Sequence, residues 1–200
     1  LRYSDLDTAA PATAACQSDW NSLCRTLIHY EDHIQPLWEL PRELVDNNGN
    51  VIEDRTCTAC HANRDADSNP IVPSAQLELS TMASPEDALH MVAYRELLFN
   101  DVEQEVVDGA LIDLLVQARD GNGNPVFEVD NNGDLVLDNN GDPIPVLITV
   151  GVSPVMSTGG ARSSRFFAPF QAGGTHADYL SPAELRLIAE WLDIGAQYYN

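Results

Sequence analysis

Apolar positions along the chain follow two periods. In WNSLCRTLIHYEDHIQPLW, Leu23, Leu27, Tyr30 and Ile34 recur every three or four residues, which predicts an amphipathic helix ended by Pro36. SPEDALHMVAYRELLFN opens with Ser84 as N-cap, Pro85 at the first helical position and Asp87 close behind, and predicts a second helix. DVEQEVVDGALIDLLVQARD predicts a third, broken near Gly109. The closing LSPAELRLIAEWLDIGAQYYN is the clearest helix: Ser181 caps it, Pro182 takes the first turn and Glu184 completes a capping box. Its Leu185, Ile188, Trp191, Leu192 and Gly195 form one face to be met by another helix, with Gly195 read as a close backbone crossing because glycine otherwise costs helix propensity.

Between residues 120 and 150 the period shortens to two. Short β-branched runs alternate with Asn-Gly turns, and DNNGD occurs twice, so a β-meander is expected as an insertion in a helical chain. VDNNGNVIEDR, before residue 56, reads as another tight turn. Residues 1 to 15, rich in Ala, Thr, Asp and Pro, read as a linker or N-terminal arm. The expected organisation is therefore an arm at 1–15 and a single domain at 16–200, mainly α, with β-hairpins inserted at about 120–150.

Composition narrows the partners. The 200 residues carry 31 acidic and 10 basic side chains, all of the latter arginine, for a net charge of −21. Nucleic acid is excluded as a ligand, since a phosphate backbone needs a basic face, and a protein partner steered electrostatically must be basic. No apolar run is long enough to span a membrane. Four cysteines divide into Cys16 with Cys24, expected as a disulfide and hence an oxidising compartment, and Cys57 with Cys60.

The second pair carries the chemistry. TCTACHA places Cys57, Cys60 and His61 in a C-x-x-C-H arrangement. A thioredoxin-type dithiol would need a strand before the motif and a helix opening at it. A structural zinc site would need two more ligands at matching spacing. Covalent haem attachment uses every element: two thiols form thioethers to the porphyrin, and the adjacent histidine is the proximal iron ligand. The expectation is one haem c on Cys57 and Cys60, with His61 beneath the iron. The Asp/Asn/Gly loops invite calcium, but the EF-hand glutamate and flanking helices are missing, so ordinary turns are expected there.

With these residues in view, IHYEDHIQPLW, CTACH and LSPAELRLIAEWLDIGAQYY resemble class I c-type cytochrome domains, over residues 22–63 and 160–199. The resemblance implies a helical fold around one haem, with the first and last helices crossing. GGARSSRFF, followed by a histidine and the closing helix, looks like cytochrome domains in large secreted proteins of polysaccharide-degrading bacteria. Those domains can accompany carbohydrate-binding modules, and electron supply to oxidative enzymes has been proposed for them.

The resemblance implies a sixth iron ligand where many such domains carry Met-Pro. His176 occupies that place, and Met156 is the alternative. Met82, His90, Met91, His29 and His33 are more simply core or hydrogen-bonding residues. Arg162 and Arg165 are candidates for propionate contacts. The expected function is extracytoplasmic electron transfer with a redox partner protein, beside further haem or carbohydrate-binding domains of a longer chain. The contrasting expectation is a haem peroxidase-like enzyme or haem-based sensor with an open distal site.

Overall fold

The computed structural model describes residues 2–199. It holds five short α-helices: α1 Ala14–Ser18, α2 Gln35–Glu39, α3 Cys57–Cys60, α4 Val92–Leu98 and α5 Pro182–Asp193. Eight strands form four separate two-stranded antiparallel sheets: β1 (Glu43–Val45) with β2 (Val51–Asp54), β3 (Asp101–Val102) with β8 (Gly151–Val152), β4 (Gln104–Val107) with β5 (Ala110–Asp113), and β6 (Leu115–Gln117) with β7 (Leu147–Thr149). Helical turns account for 25% of residues and strands for 19%. The expected mainly α, cytochrome c-like helical fold is thereby corrected: three of the four stretches read as helices are shortened or replaced.

Each correction has a local cause. The first helix begins not near residue 22 but at Tyr30, as a wide turn over Tyr30–Ile34, and then passes through Pro36 into α2. Proline lacks the N–H and crowds the carbonyl four residues back. A π-type turn just before it, with the Gln35 N–H on the Tyr30 carbonyl, opens the ladder where that crowding would fall. Leu23 and Leu27, placed on the helix face by their spacing, are 84% and 51% exposed.

In the second stretch, side chains divert the backbone. The Asp87 carboxylate takes the Leu89 N–H and its carbonyl takes that of His90, while the Ser84 N–H closes the loop on the His90 carbonyl. Helix α4 therefore starts only at Val92. The third stretch is no helix at all but the β4–β5 hairpin. Asp108 and Gly109 have φ of 50° and 79°, the doubly left-handed pair that joins strands through two residues.

The closing helix follows the reading. The Ser181 hydroxyl accepts the Glu184 N–H, and the Glu184 carboxylate accepts the Ser181 N–H. Ala183, Glu184, Leu187, Ile188, Trp191 and Leu192 are buried. Gly195 differs from its expected role: nothing lies within 4 Å of where a Cβ would stand, so no backbone crosses there. Its φ of 102° instead ends the helix, with the Gly195 N–H on the Leu192 carbonyl and the Ala196 N–H on that of Trp191, the paired bonds of a Schellman cap.

One core unites these pieces. Ile28, Tyr30, Ile34, Leu37 and Trp38 pack with Leu79, with Ala93, Tyr94 and Leu97 of α4, with Met156 and Phe166, and with the inner face of α5. The N-terminal arm is docked on it: the Tyr3 hydroxyl donates to Glu190 at 2.7 Å, and the Leu27 N–H reaches the Pro11 carbonyl. Cys16 and Cys24 form a disulfide, their Cα atoms 5.6 Å apart.

The β excursion is longer than expected. It leaves the core at Asp101 and returns at Val152, where β3 and β8 pair. Beyond β6–β7 it narrows to a ribbon of single bridges, Phe127 to Pro145, Val129 to Leu135 and Leu137 to Pro143. Its apolar residues stay largely in solvent, Leu115, Leu135 and Leu137 each being just over half exposed.

Candidate functional site

Helix α3 is a single turn, and its entry is fixed from both sides. The Thr56 N–H donates to Asp54, and the Thr56 hydroxyl accepts the Arg42 N–H at 3.0 Å. Arg42 also reaches across to α5, where its guanidinium pairs with Glu184 at 2.7 Å in a site that leaves Glu184 only 3% exposed. Glu184 thus caps α5 and anchors the segment carrying the motif. Sequence spacing shows the first role; the second joins residues 142 positions apart.

Cys57 faces this anchor, packed against the core, and Cys60 is exposed; both are free thiols. Burial pushes the Cys57 thiol up to about 11, with Arg42 only partly opposing it. At neutral pH Cys57 is a protonated thiol and a poor nucleophile, which argues against dithiol exchange.

His61 ends the turn, with its N–H on the Cys57 carbonyl at 2.9 Å. Its Nδ1 lies 3.1 Å from the Leu77 carbonyl, which can only accept, so Nδ1 carries the proton and Nε2 keeps its lone pair. The His61 carbonyl accepts the Leu79 N–H at 2.8 Å, so residues 77–79 hold the histidine by both backbone and ring. Burial lowers the His61 pKa, with the nearby His176 adding to the effect, and favours a neutral imidazole.

His176 stands opposite. The two rings are 6.2 Å apart, centre to centre, and inclined by 36°. The loop that delivers His176 is built by glycine: a side chain at Gly174 would collide with the Pro169 carbonyl, which the His176 N–H must reach at 3.0 Å. Phe170 and Tyr179 flank the ring at 5.6 and 5.1 Å. The Tyr179 hydroxyl donates to Glu53 of β2 at 2.9 Å, and the Arg55 guanidinium covers the Tyr179 ring. His61 and His176 therefore come together from two distant stretches, with Cys57 and Cys60 on the single turn that leads into His61.

The other candidates lie elsewhere. Met156 is in the core at 3% exposure, its N–H on the Leu97 carbonyl. Arg165 donates to the Ser153 and Pro154 carbonyls, and Arg162 is exposed on the turn Ala161–Ser163. The arginine beside the cysteines is Arg42, which nothing in the local sequence marks. His29 is engaged by Asp32 and His33, while His90 is engaged by Asp87 and lies against Tyr94 and Tyr198. Met82 is half exposed, and Met91 packs at the core edge.

The cofactor expectation is corrected. Among the described residues no group of three or more His, Cys, Asp or Glu side chains gathers where it could hold a metal ion, so the structure supplies no such cluster for haem c or for calcium. For the Asp/Asn/Gly loops the physical reason is plain. Asp46, Asp65, Asp120, Asp130 and Asp138 each turn a carboxylate oxygen back onto the N–H groups two and four residues ahead. The side-chain amides of Asn50 and Asn69, for Asp46 and Asp65, and these backbone bonds, for Asp120, Asp130 and Asp138, are the main causes that hold the five carboxyls below the usual range, and the oxygens a cation would need are engaged in the turn. No protein-family model, no curated protein and no solved structure matches the chain.

Proposed function

We propose that the chain is an extracytoplasmic electron-transfer domain of the kind its CTACH segment and closing helix resemble, the c-type cytochromes, with Cys57, Cys60, His61 and His176 as its redox centre. The observation that carries this reading is the opposed pair of imidazoles, 6.2 Å apart beside two free thiols. Unlike His29 and His33, which lie four residues apart on one turn, these two rings are brought together from distant stretches of the chain.

The residues divide the work. Leu77 fixes the tautomer of His61 and leaves Nε2 as a donor atom directed away from that carbonyl. Burial keeps the ring uncharged. Phe170 and Tyr179 limit water around His176 and restrain its ring, so little rearrangement accompanies a change of charge. Cys57, a protonated and half-buried thiol packed against the core, supports an anchoring role over an attacking one. His176 standing over His61 favours relay over an open catalytic position. The disulfide Cys16–Cys24 supports an oxidising compartment, and among the described residues no helix is long and apolar enough to cross a membrane.

The test is a redox titration followed by absorbance, on protein exported to an oxidising periplasm. A single one-electron wave is expected, abolished in Cys57→Ala/Cys60→Ala and displaced in His176→Ala. Protein that takes up no electron in the titration overturns the proposal.

A further inference from the structure

We infer that Gln76 is a positioning residue for His61, and that through it the β excursion sets the orientation of that imidazole. The inference rests on the reading of His61 as the working ring of the site.

Leu77, whose carbonyl holds His61 Nδ1, follows an unusual pair. Ala75 and Gln76 both have φ of 57°, the left-handed region that residues with a side chain rarely enter, and never cheaply twice in succession. Neither is glycine, so something outside the turn must hold it. The Gln76 side chain is that clamp. Its Oε1 accepts the Gln104 N–H at 2.9 Å and its Nε2 donates to the Gln104 carbonyl at 3.0 Å, so the amide pairs with β4 as a neighbouring strand would. Gln104 in turn faces Asp113 in the β4–β5 hairpin.

The path from arm to ring is thus short and continuous: the β4 backbone, the Gln76 amide, the Leu77 carbonyl, His61 Nδ1. The Leu79 N–H on the His61 carbonyl closes it from the other side. Releasing the clamp lets residues 75–76 relax towards ordinary backbone angles, which swings the Leu77 carbonyl and frees the imidazole to change tautomer.

The experiment reads the ring itself, by long-range proton–nitrogen NMR of histidine-labelled protein. In the wild type, His61 is expected as a single Nδ1–H tautomer. Gln76→Met, close in length and lacking both hydrogen bonds, should show exchange between the Nδ1–H and Nε2–H tautomers of His61. Ala75→Gly, which suits the left-handed angle and keeps the clamp, should leave the ring as in the wild type and raise the thermal midpoint by a few degrees. An unchanged His61 in folded Gln76→Met, or equal disturbance in Ala75→Gly, overturns the inference.

Hydrogen exchange in the wild type needs no variant: the Gln104 and Leu79 amides should open together, and unrelated protection would count equally against the clamp. A redox-inactive protein in which His61 is still clamped sinks the electron-transfer reading and leaves this one standing. A redox-active protein indifferent to Gln76 does the reverse.

Discussion

The core and the β excursion are held by opposite means. In the core, Tyr30, Trp38, Leu97 and Trp191 are at most 1% exposed, and their partners come from distant segments, Tyr30 stacking on Tyr198 from the other end of the chain. In the excursion, turns such as 120–124, 130–134 and 138–142 satisfy themselves within five residues, and the apolar side chains between them remain in water. Removing water from apolar area stabilises only where a second layer covers it. A two-stranded ribbon has no such layer and depends on turn geometry. The contrast teaches that this chain has one cooperative unit and one appendage, with the candidate site at the junction.

The largest effects should come from breaking the core alone. Trp191→Ala removes a fully buried ring and should cost roughly 3–5 kcal/mol in chemical denaturation, whereas Leu135→Ala in the ribbon should change stability by less than ~0.5 kcal/mol. Comparable losses would mean the ribbon is folded into the same unit. Next, Glu184→Ala strands the Arg42 guanidinium and removes half of the capping box. About 3 kcal/mol should be lost, the range for an uncompensated buried charge, and increased reactivity of Cys57 towards a thiol reagent would show that α3 has loosened.

The junction itself supplies a pH test. Glu96 of α4 has its pKa raised to about 9, first by burial and then by Asp101 of β3 and by Glu78. The folded chain therefore binds this proton more tightly than the unfolded one does. Stability should fall as pH rises from the ordinary carboxyl range towards about 9, and be flat in this contribution outside that window. Glu96→Gln should flatten the curve, with a gain on the order of 1 kcal/mol at pH 8 after discounting for solvent and for coupling to Asp101. Equal slopes in the two proteins would show that the α4–β3 junction carries no such proton. The smallest effect is expected from Asp130→Ala: exchange at the Asn132 and Asp134 amides should quicken while the thermal midpoint holds.

Much of the excursion was legible because its causes are local. The repeated Asp-x-x-Gly turns could be read where they stand. Asp108-Gly109 is an equally local turn signal, yet the flanking Val, Leu and Ile residues also fit a helical period, so the sequence predicts a helix with a break where the structure has a hairpin. Leu23 and Leu27 misled in the same way, since spacing says which residues share a face and not whether anything covers it. For the candidate site, Cys57, Cys60 and His61 lie within five residues, and His176 is marked by its place just ahead of the capped closing helix, where the resemblance implies a ligand. Arg42, Glu53, Gln76 and Tyr179 were not marked, because each is defined by a partner 28 to 142 residues away.

The amino-acid order by itself determined the turns, the capped last helix, the linked pair Cys16–Cys24 and the grouping of Cys57, Cys60 and His61. Those features arise from hydrogen bonds and torsions spanning a few residues, whose free energy is settled before the chain closes on itself. Only the tertiary structure decided where the first helix begins, which arginine stands by the thiols, which histidine faces His61 and what fixes its proton. Those depend on burial and on pairing across long loops, where the gain appears only once distant segments have already been brought together.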